Sequence, residues 1–152
     1  MGRRRFCMCI SAAFAALLIW SPVKPSAAGV LITEDEARLP PPKGAVALDN
    51  RGITRGPRIE FVSGNDPMHS PTHLVVKFQS FGGARIDADS VRITYLRSPN
   101  VDLTPRLKPF VQPTGIDMPD AELPAGDHTV RVEVKDSDGR AGSTMFVLKI
   151  TP

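Results

Sequence analysis

The chain has 152 residues, 23% of them charged and 41% hydrophobic, with a formal net charge of +3. That length suits one domain with a core of its own. Its two cysteines, Cys7 and Cys9, both lie at the extreme N-terminal end, so the remainder can form no disulfide, thiol nucleophile or thiolate metal ligand.

Arg3, Arg4 and Arg5 are followed by an apolar run of 15 residues, Phe6 to Trp20, and then by the small residues Ser26, Ala27 and Ala28. This charged, apolar and small-residue layout predicts a cleavable signal over residues 1–28. The run falls short of the roughly 20 residues that a membrane-spanning helix needs, so no stable span is expected after cleavage. Arg3-Arg4-Arg5-Phe6 loosely resembles a twin-arginine export signal, although Gly2 and Cys7 flank it, and general secretion fits better. The leader holds four of the 19 basic residues and none of the 16 acidic ones, which leaves 15 against 16. The basic balance therefore belongs to the leader and gives no support for nucleic-acid binding.

Residues 29–57 contain Leu39-Pro40-Pro41-Pro42, several glycines and no sustained apolar period. They are expected to form a flexible, proline-rich arm, with a short edge strand or partner-binding segment as the alternative. From Arg58 onward, residues 58–152 read as strands between turns. Ile59 and Phe61 alternate, as do Leu74, Val76 and Phe78, then Val91, Ile93 and Tyr95. The same period recurs in Val130, Val132 and Val134 and in Phe146, Leu148 and Ile150. Period two with β-branched enrichment predicts half-buried antiparallel strands, hence an all-β, two-sheet sandwich with at most one short helical turn. Thr104-Pro105 suggests that turn, as a cap followed by proline.

The last 30 or so residues carry the most specific pattern. Leu123-Pro124-Ala125-Gly126 leads into a strand over His128–Lys135, Asp136–Arg140 makes a turn, and Thr144–Ile150 closes a hairpin. With Pro57–Ser63 at the front, this resembles bacterial immunoglobulin-like and fibronectin-like domains over residues 57–152. That resemblance implies a sandwich architecture and leaves function open. Leu123–Gly126 and Asp138-Gly139 also resemble periplasmic copper-binding sandwiches of the CopC type. Where those proteins place ligand histidines, this chain has Arg140 and Gly29.

Candidate sites are few. Met68, His69 and His73 could form a soft, copper-favouring cluster, although Pro67 and Pro71 disfavour the helix that would align the histidines; solvated loop residues are the simpler expectation. His128 opens a strand and is expected at the surface. Asp136 and Asp138 are better explained by hairpin-turn chemistry around Gly139 than by a calcium loop completed by Asp117 or Asp120. No G-x-S-x-G occurs, and no arrangement points to a catalytic nucleophile. The long connection Val101–Phe110 interleaves charged and apolar residues. It is expected to plug the sandwich with Leu103, Leu107 and Phe110, or to bind a partner through Asp102, Arg106 and Lys108.

The expected function is an exported, non-catalytic interaction module, without a cofactor, for an envelope protein or glycan. A periplasmic copper-binding protein is the alternative. Protein recovered from the periplasm should have the intact mass of residues 29–152; recovery of a full-length, membrane-bound form would contradict cleavage after Ala28.

Overall fold

The computed structural model describes residues 29–42, 56–63 and 67–152. The expected leader and residues 43–55 of the expected arm lie outside the described residues.

Strands numbered in chain order form two sheets. The first holds β1 (Gly29–Val30), β2 (Arg58–Phe61), β4 (Thr72–Gln79), β7 (Val111–Gln112) and β8 (Gly115–Glu122). The second holds β3 (Met68–His69), β5 (Ile86–Tyr95), β6 (Val101–Asp102), β9 (Gly126–Asp136) and β10 (Ala141–Thr151). The first sheet runs β1-β8-β4-β2, with β7 also on β8; the second runs β3-β10-β9-β5-β6. The pairings are antiparallel except β1 on β8 and β3 on β10.

The period-two pattern explains which faces meet. Leu74, Val76 and Phe78 of β4 are buried while Lys77 and Gln79 are exposed. Val130, Val132 and Val134 of β9 face the core, as do Leu148 and Ile150 of β10. Phe61 of the first sheet stacks on Phe146 of the second, with ring centroids 5.3 Å apart. Phe146 itself is half-buried against the core. The predicted hairpin forms, with Val132 opposite Thr144 and Val130 opposite Phe146. Gly139, at φ 77°, makes its turn. Where the sheets approach, Gly142 is needed because a Cβ there would strike the Pro57 carbonyl.

Over residues 29–42 the expected flexible arm is instead docked. Leu31 and Ile32 are core residues, 1% and 2% exposed. Thr33 and Glu36 form a reciprocal cap that starts α1 (Glu34–Ala37). Two adjacent apolar residues make no period, which hid them from pattern reading. Among the described residues there are thus two short α-helical turns where at most one was expected. The second, α2 (Thr104–Leu107), continues into a 3-10 turn, Lys108–Phe110. Thr104 is its first residue rather than its cap. Leu103 and Leu107 are fully buried and Phe110 packs against the core, as the plug requires. Among the described residues, no helix is long and apolar enough to cross a membrane.

Val132 lies in the middle of this core at 2% exposure. Val132→Asp should cost about 3 kcal/mol or more by burying an unpaired charge. Thermal melting should register that as a fall on the order of 10 °C; an unchanged midpoint would show the register to be wrong.

Candidate interaction groove

The outward positions of the second sheet carry its charge. Along β9, Arg131, Glu133 and Lys135 alternate with buried valines. Register then sets their neighbours: Arg92 of β5 lies opposite Glu133, Asp87 opposite Lys135, and Ser143 of β10 beside Glu133. Between Asp87 and Arg92 the β5–β9 register shifts. Ser90 fills the irregularity: its hydroxyl accepts the Lys135 amide at 2.8 Å and donates to the Asp87 carbonyl at 2.6 Å. The bulge re-aims this end of β5. The result is an open groove of about 650 Å³, lined by Asp89, Ser90, Arg92, Asp102, Glu133, Lys135 and Ser143 among others.

Asp102 was predicted as a contact residue, and it lines this groove. The Thr104 hydroxyl and amide hold its carboxyl below the ordinary range, helped by nearby Arg92. Arg106 and Lys108 are elsewhere. Arg106 turns to the docked segment, donating to the Leu31 carbonyl at 2.8 Å and to both Glu36 carboxylate oxygens at 2.8 and 2.7 Å. Lys108 is exposed on the 3-10 turn and does not line the groove. Arg92, Glu133 and Lys135 were not foreseen as a site. Their outward alternation was legible, but their convergence depends on the β5–β9 register and its bulge.

Met68, His69 and His73 do not converge. Met68 packs against the core, His69 Nδ1 lies 3.1 Å from the Thr151 hydroxyl, and His73, on the first sheet, has its Nε2 2.6 Å from Asp117 of the same sheet. Among the described residues, no group of three or more His, Cys, Asp or Glu side chains is placed to hold a metal ion. Asp136 serves its turn. Its carboxylate accepts the Asp138 and Arg140 amides at 3.1 and 2.9 Å and the Arg140 guanidinium at 2.9 Å. Burial alone would raise its pKa, but the Arg140 contacts outweigh that and hold it low.

His128 is buried at 1% exposure, not at the surface as expected. Its partners fix its tautomer. The Pro124 carbonyl, 2.8 Å from Nε2, can only accept, so Nε2 carries the proton. Nδ1 then accepts the Tyr95 hydroxyl at 2.9 Å, and that oxygen accepts Arg97 Nε at 2.7 Å. Arg97 also lies over the Tyr95 ring, 5.0 Å from its centroid. Burial, chiefly, pushes the imidazole pKa down.

No protein-family model matches the chain. No curated protein and no solved structure is significantly similar to it.

His128 and Glu36 both contribute to the pH dependence of stability, beside the lowered carboxylates of Asp102 and Asp136. His128 folds as the neutral ring, so its contribution is complete above its ordinary value of 6.5 and is lost as the pH falls below that value. Glu36, lowered from 4.5 to about 2 chiefly by its hydrogen bond from Arg106, contributes fully above 4.5 and loses that contribution toward pH 2. After discounting for its half-exposed partner, that second step is worth at most roughly 2 kcal/mol. Denaturation across this range should show both losses. His128→Gln should flatten the upper one, and Glu36→Gln should reduce only the lower, leaving the part that Asp102 and Asp136 contribute.

Proposed function

We propose that this chain is an exported, non-catalytic, immunoglobulin-like module that recognises a protein or glycan of the cell envelope through the groove on the second sheet. Support for the fold family comes from strand order. β4 lies between β2 and β8 in one sheet, β9 lies between β5 and β10 in the other, and β3 pairs parallel with β10. Immunoglobulin-type sandwiches divide their strands in a comparable way. The leader supports export.

The observation that carries the functional reading is the exposed groove with both signs of charge, where Arg92 and Lys135 stand beside Asp89, Asp102 and Glu133. Such a surface suits a polar partner, with complementarity set by charge position rather than net charge. Co-sedimentation with purified envelope fractions tests this. Reversing Arg92 and Lys135 to Glu should reduce retention tenfold or more, with only the small loss of stability expected from like charges opposite Glu133 and Asp87, whereas His73→Ala should leave it intact. Loss of retention after protease treatment of the fraction would identify a protein partner, and persistence a glycan. No retention, or retention indifferent to the reversal, would refute the proposal.

A further inference from the structure

Five charged side chains line the groove on the second sheet: Asp89 and Arg92 of β5, Asp102 of β6, and Glu133 and Lys135 of β9. Three are carboxylates and two are cations, an excess of one negative charge. Register sets Arg92 opposite Glu133. Yet among the described residues none of the five joins an ion pair. All but the half-buried Glu133 are exposed. Asp102 also accepts the Thr104 amide at 2.9 Å, which fixes its carboxylate without neutralising it. Elsewhere the chain closes its pairs, Arg106 on Glu36 and Arg140 on Asp136 and Asp138. The charge of the groove is left for something outside the chain.

The lining narrows the class of ligand. No aromatic side chain belongs to it, so the apolar face of a sugar ring has nothing to stack on. An anionic glycan would meet three carboxylates against two cations and be repelled overall. A polypeptide can set charges of both signs at fixed intervals. We propose, resting on the groove as the binding surface, that the partner contacts it with a polypeptide segment that carries both signs of charge and has basic side chains in excess. Its cations face Asp89, Asp102 and Glu133, and its anions face Arg92 and Lys135. From β10 to β6 the face spans three strand intervals. That is about 14 Å, the reach of about four extended residues, so a short linear segment crosses it.

A pool of synthetic ten-residue peptides, randomised over Lys, Arg, Asp, Glu, Ser and Ala, tests this when passed over the immobilised protein. Bound peptides are sequenced by mass spectrometry. Those with at least one acidic residue and a net positive charge should be enriched tenfold or more over the pool. Asp89→Asn combined with Glu133→Gln removes two negative charges and keeps the side-chain shapes. That variant should lose the preference for a basic excess, whereas His73→Ala should keep it. Equal enrichment of wholly basic peptides, or a preference that survives the carboxylate replacements, would overturn the proposal. So would tighter binding of a chito-oligosaccharide or a sulfated oligosaccharide than of the selected peptides. No enriched peptide, while envelope fractions are still retained in a manner that depends on Arg92 and Lys135, would remove the polypeptide and leave the groove. If retention ignores the reversal of Arg92 and Lys135, the groove reading fails and this inference with it.

Discussion

A two-sheet sandwich fills most of the space between its sheets with their inward side chains, and what they leave must be closed by residues from outside the strands. Here Leu31, Leu103 and Leu107 share that task, and none of them lies on a strand. Arg106 ties them together. From α2 its guanidinium reaches the Leu31 carbonyl and both oxygens of Glu36, so one planar cation fixes the plug and the N-terminal segment in a single geometry. Fixing backbone costs roughly 1–2 kcal/mol per residue, which two buried side chains cannot offset for a segment of this length. The α1 cap, the β1 pairing and the Arg106 contacts must supply the rest.

The buried polar groups obey the same rule of complete satisfaction. Among the described residues, no buried side-chain nitrogen or oxygen lacks a hydrogen-bond partner. Arg97, Tyr95, His128 and the Pro124 carbonyl form one donor-to-acceptor chain, and its direction is forced from the far end because the carbonyl cannot donate. Adding a proton to His128 would set two donors against the Tyr95 oxygen, with the Arg97 charge nearby. Asp136 is the opposite case. There a buried carboxylate keeps its charge because two amides and a guanidinium surround it.

Strands were legible wherever apolar residues kept a period of two, as in Val130, Val132 and Val134. The hairpin turn was legible from Asp136 and Gly139. Leu31-Ile32 was not, because a three-residue apolar run, Val30-Leu31-Ile32, followed by acidic residues shows no period and looks the same whether docked or free. His128 was misjudged for a related reason: its neighbours in sequence are polar, and its burial depends on Tyr95, which lies 33 residues away. Of the expected contact residues, Asp102 could be placed from its loop. Arg106 could not, since only the fold brings Glu36 to it across 70 residues. The Arg92–Glu133 pairing needed a strand register that sequence period alone leaves open.

This division of labour also shapes what the surface can do. The large apolar side chains are mostly committed to the core, and Arg106, Arg140 and His128 are committed to structural partners. The outward positions of β5 and β9 are left to present charge of both signs, Asp87, Asp89 and Arg92 on β5 and Arg131, Glu133 and Lys135 on β9. A groove of that kind produces little long-range field, because neighbouring charges cancel within a screening length of about 8 Å at physiological salt. On the proposed reading it would steer a partner weakly from a distance. Discrimination would then arise at contact, where a partner whose charges fall out of step meets like charge instead of opposite charge. A sheet face is well suited to this, since strand register holds Arg92, Glu133 and Lys135 at fixed spacings that a flexible loop could not keep.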